Sequence, residues 1–326
     1  MTSSNNSNTK ATKEEERPST FHIWWTATRP HTLTAGVSPC LVAHALCRPP
    51  WHLQAAWTLF CVTVQIGTNL HNDYSDFIQG ADTEKRVGHA RATAKGWLTP
   101  MQTCQAATLC LSITFCSGVY LAVQTSQLYN PVVWFLILSS IFNAFAYTAG
   151  PYPLGYIGLD KWSIAYAGLG EVFVLLYFGY VATLMLPFLL FCQGNNDTIV
   201  WGECFLYATA VGLLATNIII VNNLRDRLTD VLVDKRTTAV RFGRNFSIWQ
   251  YVFCLVMAML EVVMVFILYA PSLFRLLPLL VLPMAVRETQ AVMAKEGQSL
   301  NKHVGGAALV EFFFCILVTV AKLVAP

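Results

Sequence analysis

Apolar positions in this chain fall in long continuous runs separated by polar connections, not in the alternation of a half-buried strand. A run of about 20 apolar residues is the length a helix needs to cross the hydrocarbon core of a bilayer. Runs of that kind occur near residues 22–46, 53–71, 101–124, 131–149, 163–191, 200–221, 248–269, 273–287 and 304–324. They predict an all-α integral membrane protein of about nine transmembrane helices, because helices satisfy every backbone polar group internally in lipid. The eighth run is short and contains Pro283, so a tilt, a kink or a partly interfacial position is expected there.

The polar connections test this count. Basic residues accumulate on the cytoplasm-like side of a membrane protein, so they should mark alternate connections. With the N-terminus on the positive side, that side holds Lys10, Lys13 and Arg17, then Lys85, Arg86, Arg91 and Lys95 after the second run. Lys161 follows the fourth, six basic residues from Arg225 to Arg244 the sixth, and Arg287, Lys295 and Lys302 the eighth. The opposite connections hold only Arg48 and Arg275. One helix more or fewer would scramble this parity, which also puts the long connections 72–100 and 222–247 on one face.

Composition agrees. Charged residues are 12% of the 326 and hydrophobic ones 55%, whereas a soluble domain carries about a quarter charged residues, so residues 21–326 are read as one transmembrane domain. A net charge of +3 is too small for a nucleic-acid partner. Residues 1–20 read as a disordered polar tail: they lack the apolar core of a secretory signal, and Glu14–Glu16 argue against a transit peptide. The ten cysteines include no C-x-x-C pair and lie mostly within apolar runs, so they are read as small membrane-core residues.

Most of the clustered acids fall in the two long connections. The first reads NLHNDYSDFIQGAD, with Asn72, Asp73, Asp76 and Asp82; the second reads VNNLRDRLTDVLVDKRT, with Asn222, Asn223, Asp226, Asp230 and Asp234. If each cluster continues the preceding helix, Asn72 and Asp76 share a face, as do Asn222, Asp226 and Asp230. Carboxylates so spaced repel one another, more strongly at a membrane boundary, and hard divalent cations that bridge carboxylates to phosphate oxygens would compensate. Two such helix ends on one face, interleaved with basic residues, predict a site for a metal-bound diphosphate. The competing reading pairs these acids with Arg225, Arg227 or Lys235 as ordinary interfacial charge.

With these motifs in view, the chain from about residue 22 to 324 resembles the UbiA-type intramembrane prenyltransferases, whose two aspartate motifs look like N-D-Y-S-D ending in Asp82 and D-R-L-T-D. Within that family it is most similar to the 1,4-dihydroxy-2-naphthoate polyprenyltransferases of menaquinone and phylloquinone synthesis. The stretches that carry this are TRPHTLTAGVSP (28–39), NDYSDFIQGADTEKRVGHARATAKGWLTP (72–100), AYTAGPYPLGYIGL (146–159), GLGEVFVLLYFG (168–179) and NNLRDRLTDVLVDKRTTAVRFG (222–243). DKWSIAYA at 160–167 stands between two stretches that are nearly continuous in the family.

The resemblance implies helices around a central cavity in a bacterial inner membrane, or in a plastid or other organelle membrane. It implies a Mg²⁺-dependent transfer of a polyprenyl or phytyl group from its diphosphate to the naphthoate ring, with loss of CO₂. Asp76, Asp82, Asp226 and Asp230 would be the catalytic acids, holding Mg²⁺ together with Asn72, with Asp73 a further ligand or a neighbour of one. Arg29, Arg91, Lys95 and Lys235 would bind diphosphate oxygens, Asn222 would join the substrate site, and Tyr147, Tyr152, Tyr156, Phe173 and Phe178 would line the cavity. Related enzymes acting on 4-hydroxybenzoate, homogentisate or menadiol are the alternatives. A secondary transporter is a more distant one, since its ionisable groups should sit mid-helix beside breaks, where only Glu171 and Glu261 are expected.

Overall fold

The computed structural model describes residues 17–82, 87–194, 199–269 and 271–325; statements of number or absence below refer to these residues. Lys10, Lys13, Lys85, Arg86 and the first sixteen residues of the expected tail lie outside them. The architecture is wholly helical. In chain order come α1 (Thr20–Thr28), α2 (Pro30–Cys47), α3 (Trp51–Ile78), α4 (Pro100–Gln124), α5 (Pro131–Ala146) and α6 (Gly170–Val174). A π-helical stretch, Leu175–Val181, joins α6 to α7 (Ala182–Cys192); then follow α8 (Trp201–Asp230) and α9 (Thr238–Leu268). A 3₁₀ stretch, Leu273–Val281, leads into α10 (Leu282–Ala294), and α11 (Asn301–Val324) ends the fold.

Local chemistry sets several of these starts. Thr99 and Gln102 form a reciprocal capping box ahead of α4, with Pro100 in its first turn. Asn130 caps α5 just before Pro131, and Ser19 caps α1 by accepting from the His22 amide.

The helical rods correspond one to one with the nine apolar runs. Six are long and apolar enough to cross a membrane; α2 and α5 carry shorter apolar stretches, and α3 is long with a polar C-terminal third. The chain is thus a multi-pass integral membrane protein. Three boundaries differ from expectation. The first run breaks at Arg29, which adopts left-handed φ 53°, ψ 65° between α1 and α2, a conformation costing a non-glycine residue on the order of 1–3 kcal/mol. The run at 163–191 becomes helical only at Gly170, because DKWSIAYA returns to α5: the Ile164 and Ala165 amides donate to the Ala146 and Tyr147 carbonyls at 3.0 and 2.9 Å. The eighth run is split by its 3₁₀ stretch, with Pro283 in the first turn of α10.

Helix α8 is the centre of the bundle. Its apolar window is 83% buried, against 28–50% for the other long spans, so α8 is covered by protein while the others face lipid. It packs on α9 and α11, and α3 packs on α4. Where α8 meets the π-helical stretch, a Cβ on Gly212 would lie 2.8 Å from the Gly179 Cα and from the Leu175 carbonyl oxygen. Backbone cannot yield there cheaply, so small residues are what permit this contact. Gly212→Leu is therefore expected to sharply reduce the amount of folded protein recovered from membranes, measured by fluorescence-detected size exclusion.

Buried charge also appears where the sequence reading placed none. Glu203 at the start of α8 is 3% exposed and accepts from Arg275 Nη1 at 2.5 Å and Lys322 Nζ at 2.6 Å. Glu311, in the middle of α11, is fully buried, which corrects the expectation that Glu171 and Glu261 are the only acids near mid-span. A lone Glu within an apolar run carries no motif to mark it; only the packing of α11 against α2 and α8 makes it internal.

Candidate active site

The two acid-rich segments do continue α3 and α8, and both helix ends contribute to one cavity. Its polar end is lined by Arg29, Asn69, Asn72, Arg91, Asn222, Asn223, Asp226 and Lys235. Its apolar wall comes from Trp57, Phe60 and Val64 on α3, Phe173, Val174, Tyr177 and Phe178 on the α6 rod, and Ile218 and Ile219 on α8. Ser140, Asn143 and Tyr147 from α5 also line it.

The α3 cluster is organised by arginine. Arg91, 4% exposed, donates through Nη1 to Asp76 Oδ2 at 2.6 Å and to Asp82 Oδ2 at 3.3 Å, while its Nε lies 3.5 Å from Asp73 Oδ1. Burial works against its charge, but Asp76, Asp73 and Asp82 outweigh it and hold the guanidinium pKa above the ordinary arginine value. Arg29 Nη2 donates to Asp73 Oδ1 as well. The helix break presents Arg29 to that carboxylate, and Asn69 steadies the break by donating to the Thr28 carbonyl at 3.0 Å and Thr32 Oγ1 at 3.1 Å.

The α8 cluster repeats this logic. Arg225 donates to both oxygens of Asp226 at 2.8 and 2.6 Å and to Asn222 Oδ1 at 2.8 Å. Its Nη1 donates to Asn301 Oδ1 at 3.1 Å, and Asn301 donates to the Val87 carbonyl at 2.9 Å, tying α8, α11 and the connection after α3 together. Lys235 Nζ is 3.8 Å from Asp230 Oδ1 and 5.9 Å from the centre of the Tyr166 ring. Tyr166 in turn donates to Asp76 Oδ1 at 3.2 Å, so it bridges the two clusters. Burial and then the Asp76 carboxylate raise its phenol pKa above the ordinary tyrosine value; the hydroxyl stays protonated and donates. Tyr166→Phe should lower turnover by about 2- to 10-fold, the worth of one such hydrogen bond, with membrane extraction unchanged.

The predicted site residues separate by position. Asp76, Asp82 and Asp230 do not line the cavity: Arg91 sits against the first two and Lys235 against the third, so cations lie at the lining in their place. Lys95 is exposed and off the cavity. Tyr152 and Tyr156 are also off it, Tyr156 being 83% exposed, because the chain turns away after Ala149 and Gly150, both at positive φ. Asn69, Asn143, Asn223, Arg225 and Tyr166 join the site beyond the predicted residues. Asn69 and Asn223 lie one turn from and next to predicted residues, which is a usable signal; Tyr166, inside the inserted DKWSIAYA, had none.

The donor set has the chemistry of a hard divalent cation site. Among the described residues, Asp73, Asp76, Asp82, Asp226 and Asp230 gather carboxylate oxygens around Arg29, Arg91, Arg225 and Lys235, and an oxygen-rich donor set suits such an ion. Among the described residues no three His, Cys, Asp or Glu side chains converge as a ready-made metal site, because the carboxylates are turned onto arginine and lysine. The oxygen chemistry of these residues fits such an ion.

Glu171 is drawn in by α8 and α9. Its Oε1 accepts from Asn223 Nδ2 at 2.9 Å and from Thr238 Oγ1. That bond fixes the orientation of Asn223, which faces the cavity.

Known proteins share this architecture. The chain is 31% identical over 314 residues to the 1,4-dihydroxy-2-naphthoate octaprenyltransferase of Escherichia coli, covering 93% of this chain and 96% of that one. It is 30% identical over 285 residues to the Mycobacterium tuberculosis protein of the same name, covering 85% and 88%. A UbiA homologue from Archaeoglobus fulgidus, solved with DMAPP and Mg²⁺, superposes with a TM-score of 0.59 at 11% identity, over 91% of this chain and 99% of that one, a likeness of fold alone. The UbiA prenyltransferase family profile matches residues 33–315, and with the two acid-rich helix ends meeting at one intramembrane cavity, the chain belongs to the UbiA prenyltransferase family.

Proposed function

We propose that this protein transfers a polyprenyl group from its diphosphate to 1,4-dihydroxy-2-naphthoate, releasing diphosphate and CO₂, in a Mg²⁺-dependent reaction. The observation that carries the proposal is a single cavity polar and cation-lined at one end and apolar along its wall, which matches an amphipathic diphosphate ester. The names of the bacterial relatives support the naphthoate as acceptor.

Arg29, Arg91 and Lys235 stand at the cavity's polar end and bind the diphosphate oxygens as charge-assisted donors. Asn72, Asp76 and Asp82 on one side, with Asp226 and Asp230 on the other, would hold Mg²⁺, which supplies neutralisation of the departing diphosphate. Binding of the anion draws Arg91 and Lys235 toward it and loosens their hold on these carboxylates. As the carbon–oxygen bond breaks, positive charge grows on the allylic carbon; Phe173, Tyr177 and Phe178 offer ring faces to it and exclude water. The ring carbon bearing the carboxylate attacks, forming the carbon–carbon bond, and the electrons of the bond to CO₂ restore aromaticity as it leaves. Asn143 and Tyr147 line the cavity where they can hydrogen-bond the ring oxygens, and the apolar wall takes the start of the isoprenoid tail.

The test is turnover by membranes containing the protein, given Mg²⁺, a polyprenyl diphosphate and either 1,4-dihydroxy-2-naphthoate or 4-hydroxybenzoate. Prenylated 1,4-dihydroxynaphthalene with equimolar CO₂, abolished by EDTA and restored by Mg²⁺, is expected. Prenylation of 4-hydroxybenzoate in its place would overturn the acceptor assignment, and full activity in EDTA would overturn the metal.

A further inference from the structure

A second cleft opens between α10 and α11, beside the start of α2, and its chemistry differs from that of the catalytic cavity. It is lined by Arg287, Glu288 and Lys295 from α10 and its end, Lys302 and His303 at the start of α11, and Thr34 on α2. α11 divides the two spaces, since Val304 faces the catalytic cavity while His303 and Gly305 face the cleft. The cleft lies on the positive face of the protein, because Asn301 beside it holds both Arg225 and the connection after α3.

Its charges are unbalanced. Lys295 Nζ, which can only donate, lies 2.8 Å from His303 Nε2; that nitrogen therefore accepts, and Nδ1 donates to Glu288 Oε2 at 2.7 Å. Glu288 is thereby occupied by a histidine. Among the described residues, Arg287, Lys295 and Lys302 form no ion pair with a carboxylate, while Glu296 nearby is taken by Arg244 at 2.6 Å. Partial burial and then the neighbouring Lys302 lower the Lys295 pKa below its ordinary value, as expected where cations crowd one another. The floor is open as well: a Cβ on Gly305 would meet nothing within 4 Å. One turn deeper, Leu309 lines the same cleft and is 44% exposed, so an apolar surface continues from the basic mouth toward lipid.

We infer that this cleft binds the phosphate headgroup of an anionic phospholipid, with Arg287, Lys295 and Lys302 around the phosphate and Gly305 and Leu309 beneath the first carbons of an acyl chain. A basic pocket between transmembrane helices on the positive side is the setting in which such headgroups are recognised. The exposed Leu309 favours a lipid over a free anion, which would have no use for an apolar continuation.

The test uses the full-length protein in neutral detergent, with native mass spectrometry after incubation with phosphatidylglycerol, phosphatidylcholine or inorganic phosphate. Wild type is expected to retain phosphatidylglycerol at least about tenfold more strongly than phosphatidylcholine. The double variant Arg287→Gln, Lys302→Gln should lose that preference. Gly305→Leu keeps every charge, favours helix and fills the floor, and it should lose the preference too. Equal retention of the two lipids by wild type, a preference surviving in both variants, or saturable phosphate binding without lipid preference would each overturn the assignment.

Discussion

Membranes carrying Asp76→Ala are expected to lose at least about 10²-fold in turnover, the scale seen when one preorganised electrostatic group at a reacting centre is removed, while inserting and extracting normally. Asp76 is where the two clusters meet: it accepts from Arg91 at 2.6 Å and from Tyr166 at 3.2 Å, and it is 3% exposed. Its loss removes a proposed Mg²⁺ ligand and leaves Arg91 directed at Asp73 and Asp82 alone. Asp230→Ala, at the corresponding turn of α8, should behave alike. Asp234→Ala supplies the contrast, because Asp234 pairs only with Arg236 at the surface, where both side chains are more than half exposed; its activity should stay near wild type. Rates close to wild type in both Asp76→Ala and Asp230→Ala would remove the basis for the catalytic assignment.

The largest effect on stability is expected away from the cavity. Glu203→Ala would leave Arg275, 1% exposed, and Lys322, 8% exposed, as two buried cations without a counter-charge. Removing one partner of a buried ion pair costs about 3–5 kcal/mol. Thermal unfolding in detergent should shift strongly downward, and the loss should exceed that of Glu296→Ala, which breaks a pair whose glutamate side chain is 61% exposed. Equal melting shifts in the two variants would show that the triad does not hold the ends of α8 and α11 together. Turnover per folded molecule should change little, since Glu203 lies at the end of α8 remote from Asp226.

The two variants separate what is legible in a linear chain from what is not. Asp76 announces itself by pattern: Asn72 and Asp76, like Asn222, Asp226 and Asp230, recur at the helical repeat beside apolar runs, and acids are costly there unless used. Glu203 has no such pattern, and neither Arg275 nor Lys322 is near it in sequence; their meeting depends on how three helices close.

The same division runs through the site. An approximate helix number and the common face of the two acid clusters follow from run length and the parity of basic residues, because a bilayer imposes one length and one charge bias on every span. The break at Arg29 does not follow from them: run length treats 22–46 as one span, whereas Asn69 on α3 holds the Thr28 carbonyl beside the break and Asp73 on α3 holds the Arg29 side chain. Tyr166 comes to Asp76 only because the inserted segment folds back on the end of α5.

The membrane architecture, the family and the two acid-rich helix ends are thus legible in the linear chain, since these depend on composition and on spacing along one helix. The packing of the helices against one another sets the rest: the carboxylates turn onto Arg91, Arg225 and Lys235, Asn69, Asn223 and Tyr166 join them, and Lys95, Tyr152 and Tyr156 lie off the cavity. Those outcomes depend on distances between helices, which low-dielectric packing and charge pairing set and which no local periodicity encodes.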